Sequence, residues 1–351
     1  MRISTAEHMN ATRRNTMEDC FITQQPGSWE QPYAYIGVYD GHGGRDIVDF
    51  LQDSLHANVM EELNHGRGSS NEDEATRNTE AARHQESVRD SEVDNAGVHE
   101  RLERAFLITD VQSQMKGIQT SGATVAMCLL ERTMIKNEMN GQGGTMRVTI
   151  HAANVGDARA VLSRKPDSFT CTPMSSSLNE ESSPLTSIST TRENPQSPVQ
   201  SQNETCYRLT NDHKASSPTE ISRIENAGGF LLRNRVLGIM AVARSLGDHG
   251  MKEFVIGRPF CQTVDVELKG YKMDQGDEFV ILACDGLWDT LEDEEAIQMV
   301  RDFVFGARSN KDGDAMMADR DLLRDRAAKM LCGEALKRGT TDNVTVIVAW
   351  L

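Results

Sequence analysis

A chain of 351 residues has the length of one large domain or two average ones, and a formal net charge of -16 argues against nucleic acid or anionic membrane as the main partner. Its seven cysteines (Cys20, Cys128, Cys171, Cys206, Cys261, Cys284 and Cys332) show no C-x-x-C spacing and several lie in apolar runs, so they read as reduced core residues rather than a disulfide or zinc framework. The opening "MRISTAEHMNATRRN" has no apolar core, and no stretch approaches about 18 apolar residues, so the expectation is a soluble intracellular protein, cytoplasmic or nuclear.

The first strong element is "YAYIGVYD" at 33–40, β-branched and aromatic, which predicts a strand. From Gly44 to Leu63 the apolar residues Ile47, Leu51, Leu55, Val59 and Leu63 form a stripe at helical spacing. Residues 64–97 are polar and mixed in charge, and read as an inserted loop; a helix follows over 98–116. Strands are predicted at 122–130, 147–154 and 158–163, the last two joined by "VGD" in what reads as a tight hairpin. A Ser/Thr/Pro/Asn-rich insert covers 165–204, with Ser-Pro steps at 183–184 and 197–198, and separates 158–163 from its expected hairpin partner at 206–210. "SSPTEISRIENAGG" carries a capping box, with Ser217 as N-cap, Pro218 at the first helical position and Glu220 three residues in. A strand at 279–284, a helix at 292–304, a third insert at 306–320, a helix at 321–339 and a strand at 343–350 complete the chain.

Without its inserts the chain keeps roughly 260 residues, a size one domain can have, so residues 1–351 are expected to form a single domain. Strands in hairpins and helices in pairs predict an antiparallel α+β arrangement, two sheets packed together and flanked by helices.

Carboxylates recur at strand ends. Asp40, Asp157 and Asp285 follow β-rich runs, and Asp342 precedes one. In antiparallel sheets the end of one strand and the start of its neighbour share an edge, so one edge can gather all four. Two such groups about 4 Å apart repel by about 4 kcal/mol at an effective dielectric near 20, so the cluster needs protons or cations within it. Ligands that are all oxygen suit Mg2+ or Mn2+. Glu18 and Asp19, beside Arg13 and Arg14, add two more carboxylates.

Eight ordered segments then stand out: "RRNTMEDC", "VYDGHGG", "SGATVA", "NVGDARAVL", "LTNDHKASSPTEISRIENAGG", "VLGIMAVARSLGDHGMK", "LACDGLWD" and "TTDNVTVIV". Together they resemble the protein phosphatase 2C-type family of metal-dependent protein Ser/Thr phosphatases. The resemblance implies a four-layer αββα sandwich and a site for two Mg2+ or Mn2+ ions. By position, Asp40 would bridge both ions, and the Gly41 carbonyl, Asp285 and Asp342 would be further ligands. Glu18 would act on the metal shell and Asp19 would hold that arrangement. Asp157 and Asp289, with Asp285, match a weaker third metal site of some relatives. Arg14 matches the arginine that binds substrate phosphate and His42 the general acid; Thr124 and Arg244 match residues near the catalytic edge. The segment "NRVLGIMAVARSLGDHGMKEF" would belong to a flap beside the substrate cleft. Two departures from the family pattern are Ala215, where relatives usually have proline, and "IGRPFCQTVDV", which lacks a Pro-Glu pair.

These residues can support phosphate-ester hydrolysis. Two divalent ions about 3.5–4 Å apart can activate a water, a guanidinium can grip two phosphoryl oxygens, and an imidazole can protonate the departing oxygen, typically for about 10²–10⁴-fold. The one C-x5-R spacing, "CGEALKR" at 332–338, falls inside the predicted helix 321–339 and is no phosphate loop, so it suggests no cysteine nucleophile. The expected partners are phosphoprotein substrates, met by a monomer. Two other readings stay open: a non-catalytic scaffold that keeps the fold, and a hydrolase of a small phosphate ester.

Overall fold

The computed structural model of the protein describes residues 1–26, 33–67, 80–135, 145–164, 206–268, 278–306 and 313–351. Its strands are β1 (Arg2–His8), β2 (Cys20–Gln24), β3 (Tyr33–His42), β4 (Gly122–Ile135), β5 (Thr145–Val155), β6 (Arg159–Ser163), β7 (Cys206–Arg208), β8 (Leu231–Leu232), β9 (Arg235–Val236), β10 (Leu246–Gly247), β11 (Phe260–Leu268), β12 (Phe279–Ala283) and β13 (Val344–Trp350). The helices are α1 (Asp46–Arg67), α2 (Glu80–Met115), α3 (Pro218–Asn226), α4 (Asp285–Trp288), α5 (Asp293–Phe305), α6 (Gly313–Arg324) and α7 (Ala327–Lys337). One sheet has the order β1-β13-β12-β6-β7 and the other β11-β5-β4-β3-β2, with β10 added against β4; all these pairings are antiparallel.

Period-two alternation sorts the strand residues into three buried layers. Ile36, Val38, Cys128, Ile150, Leu162, Val280, Leu282 and Ile347 fill the space between the two sheets. The residues between them point outward. Tyr35, Tyr39, Met127 and Val155 pack under α1 and α2, and Phe279, Ile281, Val346 and Trp350 pack under α5 and α7. Both faces of each sheet are therefore covered, which is why these strands read as continuous apolar runs. The helical stripe of Ile47, Leu51, Leu55, Val59 and Leu63 is buried against its sheet as its spacing predicts. The expected α+β sandwich is present, and the segment 206–208 pairs with 161–163 as the second hairpin requires.

Several local expectations are corrected. β5 and β6 do not form a hairpin: β5 pairs with β4 and β11 in one sheet, β6 with β7 and β12 in the other. The "VGD" turn is the crossing between sheets; Gly156 there has φ +83°, and a Cβ on it would overlap the Thr124 side chain. The capping box of α3 does not close. Ser217 makes no side-chain cap, and the Glu220 carboxylate accepts instead from Arg223 at 2.8 Å and from Arg244 at 2.6 Å. The helix expected over 321–339 is broken into α6 and α7. Ser4 of β1 enters the break, donating to the Asp325 carbonyl at 3.0 Å and accepting from the Ala328 N–H at 3.1 Å. The strands β1, β2 and β11 carry too little local signal to be predicted and form by pairing with stronger neighbours.

Helical backbone also occupies 64–67, 80–97 and 313–320, where composition predicts loops. Ala, Glu, Arg and Gln favour helix, and α2 extends an end that is packed at Val98 and Leu102. The insert 165–204 and Cys171 lie outside the described residues. The six cysteines within them are free thiols, all but Cys261 buried.

Candidate active site

At one end of the layer between the sheets, apolar side chains give way to carboxylates. β3 runs on through His42, so Asp40 lies inside the strand, and alternation places it on the same face as Ile36 and Val38. Thr124 is directly opposite on β4. Gly43 and Gly44, at φ +71° and +118°, then turn the chain into α1. Gly41 has no room for a side chain, because a Cβ would overlap both the Glu18 carbonyl and a Val48 methyl. That contact brings the 10–19 segment onto β3. On the other sheet, Asp285 opens α4 directly after β12. A Cβ on Gly286 would overlap the Asn343 carbonyl, so the Asp285-Gly286 and Asp342-Asn343 backbones lie against each other.

These carboxyl groups act on one another's ionisation. Burial pushes Asp40 well above the usual carboxylate range, and Asp285, Asp19, Asp157 and Asp342 push it further. Asp285 is raised likewise, by burial first and then by Asp157, Asp342, Asp289 and Asp19. Burial carries Asp19 up to about 6, although the Thr345 hydroxyl donates to it at 2.8 Å. Asp157 also rises to about 6 through burial, against the pull of Lys214. The neighbouring carboxylates thus oppose the ionisation of Asp40 and Asp285.

The remaining candidates surround this cluster. The Arg14 guanidinium is bound to the Asp342 carboxylate and donates to the Thr341 carbonyl at 3.3 Å. Glu18 accepts from the Thr16 hydroxyl at 3.0 Å, and its backbone N–H donates to Asn343 Oδ1 at 2.9 Å. Asp289 is exposed and pairs with Lys214 at 3.2 Å; the same ammonium is 3.9 Å from Asp157. Thr124 Oγ1 is buried without a hydrogen-bond partner. Arg244 is the exception: its carbonyl lies beside Gly156, but its guanidinium points to Glu220 and the Arg258 carbonyl.

Three residues that build the site carry no local sequence signal. Asn343 clamps the 9–18 segment to β13, donating from Nδ2 to the Met9 carbonyl at 2.7 Å and the Thr16 carbonyl at 3.1 Å. Asn10, at φ +55°, donates to the carbonyls of Thr340 at 2.9 Å and Asp342 at 3.1 Å. Asp248 meets His42 Nε2 at 2.8 Å. A match between "DN" or "GDHGM" and these distant partners is a tertiary fact, invisible to spacing.

Among the described residues no three His, Cys, Asp or Glu side chains are closed to ligating spacing. The donor chemistry still fits hard divalent cations: Asp40, Asp285, Asp342 and Asp19 are all-oxygen groups whose mutual repulsion a cation would relieve.

The sequence model of the protein phosphatase 2C family matches residues 4–180 and 199–344, which include every site residue named above. Protein phosphatase 2C homolog 1 of Saccharomyces cerevisiae is 29% identical over 353 residues, covering 100% of this chain and 93% of the relative. Protein phosphatase 2C homolog 1 of Schizosaccharomyces pombe is 28% identical, covering 97% of this chain and 71% of the relative. The crystal structure of a phosphatase from a pathogenic strain of Toxoplasma gondii superimposes with a TM-score of 0.61 at 18% identity, over 99% of this chain and 92% of that one, and so shares the fold. The family match and the shared fold thus place the protein among the phosphatases built on an α+β sandwich. The chain belongs to the protein phosphatase 2C family, a family of protein serine/threonine phosphatases.

Proposed function

We propose that the protein hydrolyses phosphoserine and phosphothreonine in proteins with two Mg2+ or Mn2+ ions held at the acidic rim. The observation that carries this reading is the convergence of aspartates from both sheets, where Asp19, Asp157 and Asp342 raise the carboxyls of both Asp40 and Asp285. Asp40, Asp285 and Asp342, with the Gly41 carbonyl, would hold the ions; Glu18 and Asp19 would complete and orient that shell, and Asp157 with Asp289 would serve a weaker third ion. When bound, the ions supply positive charge for the phosphoryl group and a water acidic enough to attack phosphorus.

The chain's own residues do the rest. Arg14 stands at the mouth of the cluster on Asp342 and can pass two N–H groups to phosphoryl oxygens, a geometry that guanidinium provides and ammonium does not. His42 delivers a proton to the departing seryl or threonyl oxygen as the P–O bond breaks. Thr124 lines the strand opposite Asp40. We place the reaction inside the cell, on phosphoproteins met by a monomer; the net charge of -16 disfavours nucleic acid and anionic membrane as competing partners.

Phosphate release from a phosphothreonine peptide tests the reading, measured with Mg2+ or Mn2+, with EDTA, and in Asp285→Asn. Turnover should require the metal and fall by about 10²-fold or more in the variant, roughly 3 kcal/mol of transition-state stabilisation. Turnover that survives EDTA and the substitution would overturn the mechanism. Folded protein inactive with either metal would favour a scaffold, and preference for a small ester over the peptide would favour the third reading.

A further inference from the structure

The histidine assigned as proton donor has a partner whose position costs the backbone something. Asp248 adopts φ +49° and ψ +38°, a left-handed conformation that a non-glycine residue holds only against steric strain. It precedes a short helical turn, yet its carboxylate makes no cap there. Instead Oδ2 meets His42 Nε2 at 2.8 Å and accepts from the Ser245 hydroxyl at 2.5 Å, and the carboxylate is nearly fully buried. The sheet is built around this pair. His42 of β3 and Gly247 of β10 both register on Gly122 of β4, and a Cβ on Gly122 would overlap the Asp248 carboxylate. The Asp248 N–H donates to the Ser121 carbonyl at 3.0 Å, and Lys252 donates to the Ser245 carbonyl at 2.8 Å while pairing with Asp110 at 2.9 Å. Burial alone would raise the Asp248 carboxyl, but hydrogen bonds from His42 and Ser245 and the charge of Lys252 hold it below the usual range, so it is an acceptor only.

We propose that Asp248 is a positioning residue for the phosphatase reaction: it fixes the ring of His42 and the tautomer with hydrogen on Nε2, leaving Nδ1 as the nitrogen that hands the proton to the leaving oxygen. The proposal rests on His42 acting as the proton donor in the reading above. The step balances. The imidazolium loses its Nδ1 proton to the seryl or threonyl oxygen as the P–O bond breaks, and the neutral ring keeps Nε2–H on Asp248. The nitrogen that works is set by the hydrogen bond made by the other one.

The consequence is selective by leaving group. A serine or threonine alkoxide is strongly basic and needs the proton, whereas p-nitrophenolate leaves without it. Asp248→Asn in the full chain with Mg2+ should lose about 10–10²-fold in kcat on a phosphothreonine peptide with KM little changed. The loss on p-nitrophenyl phosphate should be at least about tenfold smaller. In a His42→Ala background the same substitution should cost nothing further on the peptide. Equal losses on both substrates, or additive losses in the double variant, would overturn the proposal and leave the phosphatase reading standing. A wild type with no metal-dependent turnover would take both down. The assignment is also readable in the wild-type protein with Mg2+: histidine 15N spectra, with His42 identified by its absence in His42→Gln, should show the Nε2–H tautomer when neutral. An Nδ1–H tautomer would overturn the proposal whatever the variants do.

Discussion

His213 is fully buried, and neither ring nitrogen has a hydrogen-bond partner. Burial, helped by the nearby Arg244, drops its pKa to about 3 from 6.5. The sign follows from proton uptake. Unfolding releases a ring that binds a proton below pH 6.5, so the native state loses stability as pH falls from 6.5 toward 3 and keeps it in full above. His213→Gln removes that titration. Melting curves of both proteins in EDTA should therefore show the wild-type advantage over the variant shrinking by about 3 °C or more between pH 7 and pH 4.5. A constant difference would mean that the ring is protonated in the native state. At the same scale, Arg14, bound to Asp342, offsets part of the charge of the cluster.

Elements meet at the site through glycines that permit backbone contact. α4 reaches β13 only because Gly286 has no side chain against the Asn343 carbonyl. Gly286→Ala must push α4 away, separating Asp285 from Asp342. Overpacking of this kind costs typically about 1–3 kcal/mol, so a lowered melting midpoint should accompany a larger loss of metal-dependent turnover. A variant with wild-type activity would show that the two aspartates do not act together. The segment from α3 to β11 is tied down separately: Ala215, Ile224, Val236, Ala243 and Val255 form a small core, and buried Glu220 joins Arg223 to Arg244. The same carboxylate that would cap α3 in isolation is used to hold this segment, because two guanidiniums outweigh one cap.

For the molecule as a whole, stability and site geometry share one layer. Leu282 lies between the sheets with Ile36, Ile150 and Ile347, on the strand that leads to Asp285. Leu282→Ala should cost about 2–5 kcal/mol, and denaturant unfolding followed both by far-UV circular dichroism, which reads both sheets, and by Trp288 and Trp350 on the outer face of the β12–β13 sheet should shift as a single transition. Two separated transitions would mean that the sheets unfold independently. The helices on the two outer faces hold the sheets without entering the acidic end, apart from α4 and the start of α1.

Much of this arrangement was already written in local pattern. The runs at 33–40, 122–130, 279–284 and 343–350 are strands because β-branched and aromatic residues buried on both faces leave no other solution, and the 47–63 stripe can only face a core. Asp40, Asp285 and Asp342 could be placed at one edge because antiparallel pairing dictates which strand ends are neighbours. What the chain order could not decide was which sheet each strand joins: "VGD" suits any tight reversal, and only the partners already flanking β5 and β6 turn it into a crossing. Nor could it show that Ser4 breaks 321–339, that Asn343 clamps Met9 and Thr16, or that Asp248 meets His42 across Gly122. Each of these contacts joins residues more than 200 positions apart. Its energy lies in hydrogen bonds and close packing between side chains or glycine gaps and distant backbone, and it exists only once the two sheets have closed on each other.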